Sequence, residues 1–273
     1  MLYKLVVSDL DGTLLNSKKE VSNKNQRAIE ALRERGIFFA IATGRSDLLT
    51  RRYISELDIT TPIITCNGGI IKDMHKDEII HKQLLPLPKA LEVIEYCKTQ
   101  QWDYLVYTPE IIYYTEKSIR IEFIREYNRN VTEDLRVPIQ PIGELLKKEK
   151  EQILKILIRN EDESAVLQKL GDNLNKDHRF AMVSSGTGLI DIMTTGVSKG
   201  NATRVLAKYL GVDLAETVVL GDKHNDMSMF EVAGLSVAME NAEEELKKAA
   251  DVVTLSNDAS GFCDAIYKYV LKS

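Results

Sequence analysis

The chain has 273 residues, 44% of them hydrophobic and 28% charged, enough to bury one large core or two modest ones. Acids outnumber bases 41 to 36, and the net charge of −5 argues against a general nucleic-acid coat, which would favour a basic face. No segment approaches the roughly 20 apolar residues of a membrane helix, and the short apolar run at the start lacks the pattern of a secretory signal.

In chain order, the first element is "LVVS" at 5–8, a short strand apolar on both faces. A helix follows over 22–36, "SNKNQRAIEALRERG", with Ser22 as N-cap, Ala28, Ile29 and Leu32 as the apolar stripe, and Gly36 as the stop. "IFFAIAT" returns as a strand and completes a β-α-β unit. "RSDLLTRRYISELDI" reads as a second helix and "PIITCN" as a third buried strand. The texture then changes. "LLPLPKALEVIEYCKTQ" begins with two prolines and turns helical, and "WDYLVYTPEIIYYT" reads as two strands joined by a Thr-Pro-Glu turn. "SIRIEFIREYNRN" and "DESAVLQKLGDNL" are helical, while "ILKILIRN" and "LIDIM" are strand-like. Beyond them come the helix "SKGNATRVLAKYLGV", the strand "TVVLGD", the helix "HNDMSMFEVAG", the strands "LSVAM" and "ADVVT", and a closing helix "GFCDAIYKYVLK".

The expected fold is α/β: a Rossmann-like three-layer core with a parallel sheet, plus an inserted α+β cap domain. The core halves are 1–85 and 195–273, and the insertion is 86–194, with hinges near "LLPLP" and "TTGVS". The three cysteines, Cys66, Cys97 and Cys263, make no C-x-x-C and no disulfide framework, which points to a reducing cytoplasm.

Four polar clusters fall at strand ends or helix starts: Asp9 with Asp11, Thr43-Gly44-Arg45, Ser198-Lys199, and Asp222 with Asn225 and Asp226. In open α/β sheets the ligand crevice lies off the carboxyl ends of the strands. Four carboxylates and one lysine in one cleft resist ionisation unless a cation enters. Hard oxygen ligands without a His or Cys cluster suit Mg²⁺. One aspartate would then attack phosphorus while the other protonates the leaving oxygen. Lys199 would offset the developing charge, and the Thr43 hydroxyl with nearby backbone N–H groups would hold the phosphoryl oxygens.

These stretches resemble the haloacid dehalogenase-like phosphohydrolases. "DLDGTLL" is similar to the first motif of that family, "IATGR" to the second, "SKG" to the third and "GDKHNDMSMF" to the fourth. "NGG" at 67–69 and "SNDASGF" at 256–262 resemble the Cof-type phosphatases, which carry a large α/β cap between the second and third motifs. The resemblance implies a Mg²⁺-dependent phosphoric monoester hydrolase acting through an aspartyl-phosphate. It implies that Asp9 is the nucleophile and a metal ligand, and that Asp11 is the general acid/base and offers its backbone carbonyl to the metal. Asp222 would be the third ligand, with Asp226 behind it or acting through water. Thr43, Gly44, Arg45 and Lys199 would surround the phosphate, and Asn225 would bind it or orient Lys199. The substrates implied are small phosphomonoesters such as sugar phosphates, with no nucleic-acid or membrane partner, for a monomer or homodimer. A phosphotransferase or mutase on the same core, or a phospho-accepting regulatory protein, are the alternatives.

Where the family usually has Gly-Asn-Ala after "LSVAM", this chain has Glu240-Asn241-Ala242, and a positive φ at residue 240 would strain a glutamate by roughly 1 kcal/mol. His224 is expected to face solvent and Cys66 to be buried. By alternation Tyr107 and Tyr113 would share a face of the cap hairpin, and "SSGTG" at 184–188 reads as a polar, flexible loop.

Overall fold

The computed structural model describes residues 3–271 and divides the chain into two compact units. One holds the residues up to Gly44, Tyr53–His81 and those from Ser198 onward; the other holds Arg45–Arg52 and Lys82–Val197.

The first unit is built on a five-stranded sheet. Its strands are β1 (Leu5–Ser8), β2 (Phe38–Ile41), β12 (Thr217–Gly221), β13 (Leu235–Ala238) and β14 (Val252–Val253), in the order β14-β13-β12-β1-β2, all parallel. Parallel strands covered on both faces need apolar residues at successive positions, and β1 has them. Val6 joins one core cluster with α1 (Asn23–Glu34) and α10 (Gly261–Ala265), while Leu5 and Val7 join another with α7 (Lys199–Leu210), α8 (Met227–Phe230) and α9 (Glu244–Ala249). The result is three layers, helix on sheet on helix. Helix α1 starts at Ser22, whose hydroxyl accepts the Asn25 N–H, and buries Ala28, Ile29 and Leu32. A bridge from Ala42 to Ile64 carries the parallel sheet on to β3 (Ile63–Thr65). β3 then pairs with β4 (Ile70–Asp73), and β4 with β5 (Glu78–Lys82). The expected closing helix is a short α10 that continues as a wider turn to Leu271; its expected last residue, Lys272, lies outside the described residues.

The second unit has a six-stranded sheet in the order β10-β11-β9-β6-β7-β8. Its elements run α3 (Leu87–Thr99), β6 (Asp103–Tyr107), β7 (Ile112–Tyr114), α4 (Arg120–Arg129), β8 (Ile139–Pro141), α5 (Ile142–Leu146), β9 (Lys155–Arg159), α6 (Glu163–Asn173), β10 (Phe180–Gly186) and β11 (Leu189–Thr194). Only β7 and β8 pair in parallel. One face packs on α3 and α6 through Tyr104, Val106, Ile156 and Ile158; the other packs on α4 through Leu105, Tyr107 and Leu157.

Four expectations need correction. The single helix over 45–59 is instead a tight turn at Asp47–Leu49 and a short helix α2 (Arg51–Glu56). The break has a packing cause: Leu48 and Leu49 sit in the core of the second unit, whereas Tyr53 and Ile54 sit in that of the first. Residues 45–52 therefore group with the second unit rather than with the 1–85 half. Tyr107 and Tyr113 lie on opposite faces, because the register pairs Val106 with Tyr113 and Tyr107 with Ile112. The 184–188 stretch is no free loop: residues 184–186 end strand β10, which turns back into β11. Among the described residues, no helix is long and apolar enough to cross a membrane.

Phe262 is fully buried and meets Phe39 edge to face, ring centroids 5.5 Å apart. Phe262→Ala should lower the stability of the first unit by about 3–5 kcal/mol, the usual loss for a buried aromatic truncated to Ala. Urea unfolding followed by circular dichroism checks it.

Candidate active site

The register of the parallel sheet brings the polar strand ends to one edge. Ser8 lies between Leu220 and Ile41, so Asp9 follows β1 beside the end of β12, and the Asp9 N–H donates to the Leu220 carbonyl at 2.9 Å. Asp222 follows β12 directly, and Asp226 is the last residue of the tight turn that precedes α8. Lys199 is the first residue of α7, a helix started by Ser198, whose hydroxyl accepts the Asn201 N–H.

Ligand-capable oxygens of Asp9, Asp222 and Asp226 all lie within 4.8 Å of one another, and all three residues are buried. The Lys199 Nζ sits between two of them, 2.6 Å from Asp9 Oδ1 and 2.6 Å from Asp226 Oδ1, with its side chain wholly out of solvent. The second Asp226 oxygen accepts the backbone N–H groups of Asp222 at 2.9 Å and Lys223 at 3.1 Å. Asp226 is thus committed to the lysine and to the loop, and leaves the open coordination capacity to Asp9 and Asp222. Thr13 donates its hydroxyl to Asp222 Oδ1 at 3.2 Å. Gly12 has φ +89°, and a Cβ there would stand 2.3 Å from Asp222 Oδ2, so only glycine lets this loop pass the carboxylate.

Asp11 is not part of the cluster. Its carboxylate is partly exposed and pairs with Lys19 Nζ at 2.8 Å, so the buried balance is three carboxylates against one ammonium rather than four. Thr43 is buried at the end of β2, where its carbonyl accepts the Asn67 N–H. Asn225 donates from Nδ2 to Asn67 Oδ1 at 3.0 Å. Gly44 stays with the first unit, and Arg45 falls in the second. Glu240 is exposed and absent from the residues with positive φ, so the expected strain does not arise. His224 faces solvent, and Cys66 is fully buried. Sequence reasoning missed Thr13, Lys19 and Asn67 as partners of site residues. The first two sit within or just after "DLDGT", where their proximity to the aspartates was the available signal.

Burial raises the Asp9 carboxyl to about 7, with the Lys199 charge working against the rise and Asp226 adding to it. Burial, then repulsion from Asp9 and Asp226, raises Asp222 to about 8. Burial works against the Lys199 ammonium, yet Asp226 and Asp9 hold its pKa above the ordinary lysine value. One lysine is therefore insufficient to keep all the carboxylates ionised. An oxygen-seeking divalent cation fits the donor set and would supply the missing positive charge.

Comparison with known proteins identifies the family. A sequence profile of haloacid dehalogenase-like hydrolases matches residues 6–266. The chain belongs to that family. It is 31% identical over 277 residues to phosphatase YwpJ of Bacillus subtilis, covering 94% of this chain and 96% of that protein. It is 32% identical over 275 residues to 5-amino-6-(5-phospho-D-ribitylamino)uracil phosphatase YwtE of the same organism, covering 94% and 95%. A solved haloacid dehalogenase-like hydrolase from B. subtilis superposes with a TM-score of 0.85 at 28% identity, over 98% of this chain and 100% of that one. The chain is a phosphoric monoester hydrolase of the haloacid dehalogenase-like family.

Asp9 and Asp222 hold protons more tightly in the folded chain than at the ordinary value of 3.8, so the metal-free stability they contribute falls as pH rises from about 4 towards 8. A divalent cation should therefore raise the melting temperature more at about pH 8 than at about pH 5, where protons occupy the same oxygens. Asp222→Asn should raise the metal-free melting temperature at the higher pH and remove most of the cation's gain. Thermal melts of wild type and variant across pH, with and without the cation, check both.

Proposed function

We propose that this enzyme is a Mg²⁺-dependent phosphatase for small phosphorylated metabolites, working through an aspartyl-phosphate on Asp9. The observation that carries the reading is the Lys199 ammonium, which holds one Asp9 oxygen at 2.6 Å inside a buried, under-neutralised carboxylate cluster at the sheet's carboxyl edge. A carboxylate so held is oriented for attack and lacks the water shell that would blunt it. The side chains of Asp9 and Asp222, with the Asp11 carbonyl, would hold Mg²⁺, which supplies positive charge to the carboxylates and to the phosphoryl oxygens.

In the first step Asp9 bonds to phosphorus, the ester oxygen departs with the bonding pair, and Asp11 gives that oxygen a proton. In the second step Asp11 takes a proton from water, the water oxygen bonds to phosphorus, and Asp9 is released with inorganic phosphate. Asp11 pairs with Lys19 Nζ at 2.8 Å, a contact it gives up to reach the ester oxygen. Lys199, the Thr43 hydroxyl and Asn225 meet the non-bridging oxygens. Asp226 fixes Lys199 and the 222–223 backbone.

The name of YwtE, a phosphate ester of a ribityl chain on a ring, supports a small phosphomonoester as substrate. Phosphoryl transfer of this kind treats leaving groups alike, so selection is assigned to the inserted second unit acting as cap. None of the three cysteines forms a disulfide, which supports work in a reducing cytoplasm.

Asp9→Asn should abolish p-nitrophenyl phosphate hydrolysis, a drop of at least about 10³-fold, while the circular dichroism spectrum stays that of wild type. Chelation should silence the wild type and added Mg²⁺ restore it. Turnover surviving in Asp9→Asn, or full activity after rigorous chelation, would remove the nucleophile or the metal from this scheme.

A further inference from the structure

The "NGG" stretch lies at the end of β3 and has no part in the chemistry assigned above. Its backbone is unusual. Cys66, Asn67 and Gly68 have φ of 50°, 55° and 101°, three successive residues in the left-handed region. An L-residue adopts that region at a cost; Asn bears it better than most, and Gly without strain. A run of three is kept in a folded chain where its surroundings over-determine it. Here the surroundings are three separate stretches of the site.

The Asn67 N–H donates to the Thr43 carbonyl at 2.9 Å, which ties the loop to the end of β2. Gly68 lies against the residue before Lys199: a Cβ at Gly68 would stand 2.3 Å from the Ser198 carbonyl oxygen. The Asn67 side chain, 2% exposed, accepts the Asn225 Nδ2 proton at 3.0 Å. One four-residue turn therefore touches the segments bearing Thr43, Lys199 and Asn225, which lie far apart in sequence. A planar amide with one N–H fixed has its other N–H fixed too.

We infer that Asn67 is a positioning residue, which orients the Asn225 carboxamide so that its remaining N–H meets a phosphoryl oxygen, the left-handed turn being what delivers Asn67 to that place. Asn67 acts through Asn225 and does not itself touch the phosphate. The inference rests on the phosphatase reading and on Asn225 as a phosphate contact.

The test uses Asn67→Gly, because glycine keeps the left-handed backbone and removes only the amide. It is paired with Asn225→Ala and with the double variant, all at saturating Mg²⁺. Each is assayed for kcat and KM on p-nitrophenyl phosphate and for competitive inhibition by inorganic phosphate. Asn67→Gly should raise KM and the phosphate inhibition constant about tenfold, the scale of one hydrogen bond to a charged group. Its melting temperature without phosphate should stay near that of wild type. The double variant should be no weaker than Asn225→Ala alone, since the two residues act as one unit. An Asn67→Gly enzyme with wild-type constants, or a double variant whose loss is the product of the two single losses, overturns the inference and leaves the phosphatase reading standing. A loss confined to melting temperature and active fraction, with KM unchanged, overturns it in favour of a purely structural turn. A wild type that neither hydrolyses the ester nor binds phosphate overturns the functional reading, and this inference with it.

Discussion

The contact on which the site depends is the Lys199 ammonium held between Asp9 and Asp226. It joins residues 190 positions apart in one direction and 27 in the other, so a single buried cation pins the end of β1, the start of α7 and the loop after β12. Taking these charges out of water is costly, and a buried ion pair often does no better for stability than apolar side chains of the same volume. The cluster is worse placed than a simple pair, because Asp222 adds a third carboxylate that the lysine does not contact. The fold retains an arrangement that costs stability, and the apolar clusters on both faces of the sheet offset it.

That cost explains how the parts are arranged. Asp226 answers Lys199 with one oxygen and two backbone N–H groups with the other, leaving neither free for a cation. Asp9 is held by one oxygen only, and Asp222 by the Thr13 hydroxyl. The carboxylates therefore differ in what they do. Asp226 fixes geometry, whereas Asp9 and Asp222 keep capacity for chemistry. The first loop serves the same end. Gly12 gives Asp222 room, and the Asn241 side chain donates to the Gly12 carbonyl, so the Asn-Ala stretch after β13 braces the loop that carries the aspartates.

Much of this was legible in the sequence, because the physics that builds a covered parallel sheet also writes it plainly. Doubly buried strands are short apolar runs, and polar residues at their carboxyl ends stand out, which is how Asp9, Thr43 and Asp222 were found. Helix starts at Ser22 and Ser198 were readable from their caps. Four things were not readable. The β4–β5 hairpin is half polar, and Glu78, Lys82 and the Asp77 turn give it no apolar run. The 45–59 segment has a helical pattern throughout, but Leu48 and Leu49 answer to one core and Tyr53, Ile54 and Leu57 to another, which periodicity does not record. Alternation gave each cap tyrosine a face only relative to its own strand; the cross-strand register, set by a longer connection than assumed, put Tyr107 and Tyr113 apart. The polarity of Asp11 was visible in the sequence, whereas its pairing with Lys19 depends on a turn where Lys19 itself takes a positive φ of 62°.

The second unit enters the chain where it leaves Lys199 alone. The chain departs after β5 and returns at Ser198, immediately before Lys199. A helix start set by the incoming segment would make the position of Lys199 depend on every change in the inserted unit. Here the start is set locally: the Ser198 hydroxyl accepts the Asn201 N–H, and the Gly200 N–H donates to the Ser228 hydroxyl of α8 at 3.0 Å. Both anchors belong to the first unit. The second unit meanwhile closes its own sheet on both faces with separate apolar clusters and its own buried Lys155–Asp191 pair. Such a unit can change side chains while the register that sets Asp9, Asp222 and Lys199 stays fixed. The local capping of α7 thereby keeps the position of Lys199 independent of changes in the second unit.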